Sequence, residues 1–348
     1  MLQGHIELHH HLFGYLKSMA LRCAADLGVP SAIHRRGGAA TISDIAADTG
    51  VHPAKLPHLR RIMRVLTVAG IFAANDEPSS WADQDGDAAG ETVYTLTPPS
   101  RLLVGDRATC NMAPMMRFLV RPEVAAVFFG LDAWLRDGDT GAATLKPGGA
   151  RRRPGMTKRD SSRALNEACA GDTSFVMDIA VREGGDVFVM DIAVREGGDV
   201  FRGLSSLVDV GGGHGAAAMA IARAFPHIKC SVLDLPQAIS EAPADGTVNF
   251  VAANAVFLKD CIKILQQCKK AIPAKGDGGK VIIINAVVGS GEPQDNALKE
   301  TQVLFDVYMM GGGEREEHAW KKIFLEAGFS DYKIKPILGF ISVIEVYP

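Results

Sequence analysis

The sequence predicts an α/β fold in which a mainly helical N-terminal part precedes a parallel-sheet part, and three observations carry this. Leu207-Val208-Asp209-Val210 is a short apolar strand that runs into Gly211-Gly212-Gly213-His214-Gly215, with a helix-forming stretch, Ala216 to Phe225, behind it. Val232-Leu233-Asp234-Leu235-Pro236 reads as the next strand and ends in an acid 23 residues after Gly211. That spacing places a carboxylate where it accepts from both ribose hydroxyls of a bound nucleoside, so this part is Rossmann-like. Near the N-terminus, helical stretches followed by two strand-like stretches come in the order of a winged helix.

Each element has a local cause. From Leu8, the apolar residues Leu8, Leu12, Leu16, Met19, Cys23 and Leu27 recur at steps of three and four. They predict one helix with a wide apolar stripe that calls for a partner, ending at Gly28-Val29-Pro30. Thr41-Ile42-Ser43-Asp44 is a capped start. Pro57 to Gly70 gives a further helix through Leu59, Ile62, Met63, Leu66 and Val68, before the strand-like Ile71-Phe72. An acidic loop over 75–90 precedes Thr92 to Thr97, which alternates as a strand. From Met112 to Asp172 the pattern is helical, with Phe118, Leu119, Val124, Val127, Phe128, Leu131 and Trp134 as core candidates. The 13 residues Phe175 to Val187 are then repeated without change from Phe188 to Val200. Each copy reads as a short helix closed by Gly184-Gly185 or Gly197-Gly198, and two copies are too few for a solenoid.

Bulk properties bound the partners. At 348 residues the chain has room for two domains, and a net charge of −3 with 22% charged and 47% apolar residues is an ordinary soluble composition. Arg60, Arg61 and Arg64 lie on a helix that in other winged helices reads DNA. The apolar face of that helix, the acidic loop and the net negative charge argue against nucleic acid. No apolar run is long enough for a bilayer, and His9-His10-His11 stands where a signal peptide would be continuously apolar, so no membrane partner and a cytoplasmic location are expected. The triple histidine reads as an exposed helix start rather than a metal site. The six cysteines form no CxxC pair and have no histidines at ligand spacing, which implies reduced thiols and no metal.

Dinucleotide dehydrogenases share the glycine layout, and Asp209 separates the two readings. S-adenosylmethionine has no pyrophosphate to seat on a helix N-terminus and carries an amino-acid moiety instead. An acid inside the strand just before the glycines therefore favours a methyltransferase, with Asp209, Gly211, Gly213, Asp234 and Leu235 as cofactor-binding residues.

Leu207 to Gly215, Asp234-Leu235-Pro236, Gly279-Lys280-Val281-Ile282-Ile283-Ile284, Gly313-Glu314-Arg315, and Glu326-Ala327-Gly328-Phe329 through Ile344-Glu345-Val346-Tyr347-Pro348 together resemble the plant phenolic O-methyltransferases of the caffeic acid type. The resemblance spans nearly the whole chain. It implies a winged-helix dimerisation domain over 1–110 and a catalytic domain over 111–348, with a substrate-lining helical part at 111–200 and the Rossmann-like part at 201–348. It also implies a homodimer through the N-terminal domain, S-adenosylmethionine without a metal, and a phenolic acceptor of phenylpropanoid or flavonoid type. Lys259 would contact the cofactor and Glu314 would orient the general base. The family needs one 13-residue unit to lead into the first sheet strand, so the other loops out or lengthens the linker, at a closure cost on the order of a kcal/mol.

The departures from the family pattern concern chemistry. A phenol of pKa about 10 needs a base near neutrality, usually histidine. In the family this histidine lies one turn after the lysine in a Trp-x-x-His-Asp-Trp segment. Here Ala255-Val256-Phe257-Leu258-Lys259 runs straight into Asp260-Cys261-Ile262, which match what normally comes after that segment. A Gly-Asp-Met-Phe stretch that contacts adenine is missing beside Ala253-Asn254, and Asn285 stands at the position of a second orienting acid. Gly148 to Gly155, with three arginines, replaces a pocket-shaping motif, and Cys169 replaces a methionine. His214, in the glycine turn, and His318, one turn after Glu314, read as a loop position and a solvated helix face. The expectation is an impaired O-methyltransferase; the alternative is an inactive homologue that serves as a dimer partner or comes from a damaged or mispredicted gene.

Overall fold

The computed structural model describes residues 1–75, 91–105, 111–136, 200–201, 203–240, 242, 246–252, 261–291, 295–309 and 315–348. The chain divides into two compact units. Among the described residues, the first takes Met1–Phe129 and the second takes Gly130–Arg136 and everything from Val200 onward.

The first unit contains helices α1 (Leu2–Leu12), α2 (Gly14–Leu27) and α3 (Val29–Arg35), strand β1 (Ala39–Thr41), helices α4 (Ile42–Thr49) and α5 (Leu56–Val68), strands β2 (Phe72–Ala74) and β3 (Val93–Leu96), and helices α6 (Pro98–Arg101), α7 (Ala113–Leu119) and α8 (Pro122–Phe128). The single helix expected from Leu8 to Leu27 is two helices that meet at Phe13-Gly14, because glycine there weakens the continuous helix. The N-terminal part of its stripe stays uncovered, with Leu8 57%, Leu12 55% and Leu16 44% exposed, while Cys23 and Leu27 are half-buried and Leu27 packs against the core. Gly28, at φ 78°, closes α2, and Pro30 starts α3 instead of ending the helical region. The capped start at Thr41 is present in full: its side chain accepts from the Asp44 N–H, and the Asp44 carboxylate accepts from the Thr41 N–H. In α5, Leu59, Met63 and Leu66 are buried at helical spacing, while Val68 is exposed. β2 and β3 pair antiparallel and β1 adds a third strand, so the winged helix is present, with order β1-β3-β2. Ile33, Ile42, Ile45, Met63, Leu66 and Phe72 form its core.

The second unit begins among the described residues with α9 (Leu131–Arg136). It continues with β4 (Ser206–Val210), α10 (Ala216–Ala224), β5 (Lys229–Asp234), α11 (Pro236–Ile239), β6 (Asn249–Ala252), α12 (Cys261–Ala271), β7 (Val281–Asn285), β8 (Val287–Val288), α13 (Asn296–Tyr308), β9 (Arg315–Glu316), α14 (Glu317–Glu326), β10 (Asp331–Leu338) and β11 (Ile341–Tyr347). β4, β5 and β6 are parallel neighbours, the arrangement expected of a Rossmann-like sheet. β10-β11-β7 is a separate antiparallel sheet, and β8 pairs with β9 in parallel across α13. Leu265 of α12 and Trp320 and Phe324 of α14 pack on Ile344 and Val346 of β11. The tandem repeat lies outside the described residues except for its final Val200.

Candidate cofactor site

The site is built where β4 ends. Its strand pairs with β5 from Ser206↔Lys229 to Val210↔Leu233, so Gly211 and Asp234 reach the same sheet edge. The Gly211 N–H continues the ladder to the Leu233 carbonyl at 2.8 Å. Gly211, Gly213 and Gly215 then take φ values of 79°, 55° and 79°, a left-handed turn that any side chain would strain. The turn is tied to the next strand. Oδ2 of Asp234 accepts from the Gly213 N–H at 2.7 Å and Oδ1 accepts from the Leu235 N–H at 2.6 Å. Each oxygen keeps lone-pair capacity for a hydroxyl donor, so the carboxylate is aimed before any ligand arrives.

Two glycines have roles that spacing did not reveal. A Cβ on Gly212 would lie 2.3 Å from Oδ2 of Asp209, so the absence of a side chain there lets Asp209 lie beneath the turn. A Cβ on Gly215 would stand 3.0 Å from Cζ of Phe250 on β6, which makes Gly215 a packing position as well as a turn. Gly212 carries no pattern signal, because the requirement comes from a side chain three residues earlier.

Asp209 is half-buried beneath the loop, and its Oδ2, fully buried, has no hydrogen-bond partner among the described residues. Burial pushes its carboxyl pKa up and Asp234 adds to the rise, while the backbone N–H of Ala218 opposes it. An acid with a raised folded pKa stabilises the fold fully below its unfolded value, and that contribution is lost as pH rises through the folded value. At neutral pH the Asp209 carboxylate is therefore a cost to folding. Asp209→Asn is expected to raise stability at pH 7 by about 0.5–2 kcal/mol, a gain that disappears near pH 4. Thermal melts at the two pH values check this, and a lowered midpoint at pH 7 would refute it.

Lys259 and Glu314 lie outside the described residues. Asn285 ends β7 and its Oδ1 accepts from the Ala286 N–H at 2.8 Å. Arg315, the residue after Glu314, is paired with Val287, two positions past Asn285. Gln302 of α13, buried, holds this region from below: it accepts from the Gly289 N–H at 3.1 Å and donates to the Ser290 carbonyl at 2.9 Å. Ser290 and Ser342 join hydroxyls at 3.0 Å. His214 is half-buried in the glycine turn. His318 is exposed, with Nδ1 3.0 Å from Oε2 of Glu316, on the solvated face expected of it.

Parallel strands, a left-handed glycine turn and an acid held at the tip of the next strand, in a chain that also carries a winged helix, are the features of a methyltransferase of the α/β class. The comparisons agree with that class. An O-methyltransferase dimerisation domain matches residues 9–106, and an O-methyltransferase domain matches 186–257 and 256–330. Acetylserotonin O-methyltransferase 1 of Oryza sativa subsp. japonica is 47% identical over 373 aligned positions, covering 100% of this chain and 96% of the relative. The 5-pentadecatrienyl resorcinol O-methyltransferase of Sorghum bicolor is 45% identical, covering 100% and 97%. The SAH-bound crystal structure of CalO1, a methyltransferase of calicheamicin biosynthesis, aligns with a TM-score of 0.72 at 20% identity, covering 100% of this chain and 99% of that one. The chain belongs to the plant O-methyltransferase family. Among the described residues no helix is long and apolar enough to cross a membrane, and no three His, Cys, Asp or Glu side chains group to hold a metal.

Proposed function

We propose that this chain binds S-adenosylmethionine at the β4–β5 edge and is built to methylate a phenolic hydroxyl of phenylpropanoid or flavonoid type, with catalysis impaired by the missing base segment. The observation that carries the cofactor reading is the Asp234 carboxylate, fixed by two backbone N–H groups and facing the glycine turn above the orphaned Oδ2 of Asp209. Asp234 would hold the ribose, the Gly211–Gly213 turn would lie along the methionine part, and Asp209 would face its ammonium. The cofactor supplies an electrophilic methyl group on a sulfonium. The protein's own task is to hold the acceptor oxygen behind that methyl and take its proton, and the histidine segment that would take it is missing after Lys259.

Two facts support the loss of whole segments. The O-methyltransferase domain match breaks at 256–257, beside the point where the histidine and adenine blocks are missing. The rice relative needs 373 aligned positions against the 348 residues of this chain. The same break favours the second reading, an inactive homologue retained as a dimer partner or produced by a damaged or mispredicted gene. Homodimerisation fits the N-terminal stripe, where Ile6, Leu8, Leu12, Phe13, Tyr15 and Leu16 are all exposed on or between α1 and α2.

Calorimetry with S-adenosylhomocysteine tests the cofactor reading. Binding is expected to be weak, because the adenine contact is gone. Asp234→Ala is expected to weaken it at least ten-fold further, since charge-assisted hydrogen bonds contribute about 1.5–3 kcal/mol. Unchanged affinity in Asp234→Ala would place the ligand elsewhere, and tight binding by the wild type would show that the adenine contact is intact.

A further inference from the structure

The imidazoles that the fold brings together at the N-terminus are not those of the sequence triplet. Residues four apart on a helix share a face, and on α1 that pair is His5 and His9, with ring centroids 4.1 Å apart. At about 100° per residue, His10 and His11 turn away from the pair, and their own rings stand 5.8 Å apart, edge to face. The same rotation places Leu8 and Leu12 on one side of His5 and His9, and Leu2 and Ile6 on the other. All four are exposed, so two polar rings occupy the middle of an open apolar stripe. A stripe built only for packing would carry aliphatic residues there.

The His9 ring is already oriented. Its Nδ1 lies 2.8 Å from the His5 carbonyl oxygen, and a carbonyl only accepts, so Nδ1 carries the hydrogen and Nε2 keeps the lone pair. Metal-ligating histidines have this arrangement, in which the second nitrogen donates to a backbone carbonyl and fixes tautomer and ring. The Phe13 ring, 5.7 Å away, backs His9, which is half-buried while His5 is exposed. Glu7, the one carboxylate of α1, lies on the opposite side and accepts from Gln3 at 2.9 Å, which leaves the pair's chemistry to imidazole. We propose that His5 and His9 form a two-point chelate for a divalent first-row ion that suits imidazole nitrogen, separate from the methyl-transfer site and binding Cu²⁺ ahead of Ni²⁺ and Zn²⁺. Two protein ligands fall short of the three or four of catalytic and structural zinc sites, so water completes the coordination and the ion exchanges freely. The second imidazole binds within the same molecule, at an effective concentration that the helix sets, and raises affinity about ten-fold or more over one histidine.

Calorimetric titration of the untagged full chain with CuCl₂, NiCl₂, ZnCl₂ and MgCl₂ reads the site. One ion per chain is expected, with Cu²⁺ tightest and no binding of Mg²⁺, a hard ion that prefers oxygen. His5→Ala and His9→Ala should each weaken Cu²⁺ about ten-fold or more, whereas His10→Ala combined with His11→Ala leaves it unchanged. Ile6→Pro keeps every histidine but breaks the helix between the two, and should cost as much as His9→Ala. Zn²⁺ at about 100 times its Kd should slow amide exchange across α1 by up to about 100-fold, because openings that part the pair release the ion. Loss of binding in the His10, His11 double variant, or full binding in Ile6→Pro, would assign the ion to the triplet or to an unfolded tail and overturn the proposal. One ion per two chains would overturn it as well, since a partner's side chains would then complete the site. Mg²⁺ binding as tight as that of Cu²⁺ would place the ion on carboxylates instead.

Discussion

Methyl transfer from labelled S-adenosylmethionine to catechols and flavonoids is expected to run near background in the wild-type chain. It is expected to rise 10²- to 10⁴-fold when a Trp-x-x-His-Asp-Trp segment is restored after Lys259. The reason is the acceptor's proton. A phenol of pKa about 10 is almost wholly protonated at neutral pH, and holding it near an electrophile without removing that proton leaves the oxygen a weak nucleophile. A positioned base recovers about 3–5 kcal/mol of barrier at 1.4 kcal/mol per decade. The same insertion with alanine in place of its histidine should stay at background, which separates the base from any repair of loop length. Robust turnover by the wild type would mean that another group takes the proton, and Glu314→Gln then tests the remaining acid. Background rates with both insertions, in a chain that still binds S-adenosylhomocysteine, would show that the base is not what limits the reaction.

Glu345→Gln is expected to destabilise the second unit by about 3–5 kcal/mol, a large part of the stability of an ordinary domain. Glu345 sits on β11 with its carboxylate shared between Lys280 at 2.6 Å and Lys335 at 3.0 Å; Glu345 and Lys335 are buried and the Lys280 side chain is 10% exposed. Burial pushes the Glu345 carboxyl up, but hydrogen bonds from Lys280 and Lys335 outweigh it and hold the pKa below the ordinary value. A carboxyl with a lowered folded pKa stabilises above its unfolded value, and that stability is lost as pH falls through the folded value. Acid destabilisation should therefore begin below about pH 4.5, and Glu345→Gln at pH 7 should mimic it. The amide leaves two ammonium groups without their shared carboxylate. Adding Lys335→Met should recover part of the loss, because a buried pair is costly mainly when half of it is removed. Urea unfolding measures both, and a Glu345→Gln cost below about 1 kcal/mol would show that water reaches the cluster.

What could be read from the sequence was what depends on residues close together in the chain. The β4 strand, the left-handed turn and Asp234 were legible because glycine freedom and acid spacing are local requirements. The Thr41–Asp44 cap and the α5 core face were legible for the same reason. Gly212 was not, since its constraint is the Asp209 carboxylate lying under it. The break at Phe13-Gly14 was hidden by an apolar stripe that keeps its period across both helices. The Glu345 cluster escaped because alternation along β10 and β11 assigns charged residues to water, and only the pairing of three strands puts Lys280, Lys335 and Glu345 together. Gln302 was missed likewise: nothing in α13 marks a buried amide apart from a solvated one.

The division of the sheet into β4-β5-β6 and β10-β11-β7 has a kinetic consequence. In the first half each strand pairs with the next one in the chain, and in the second β10 and β11 form a tight hairpin, so most pairings have low contact order and form without a long search. Both strand groups lie in one compact unit, so Asp209→Asn and Glu345→Gln are expected to move one and the same calorimetric transition at pH 7, the first upward and the second downward.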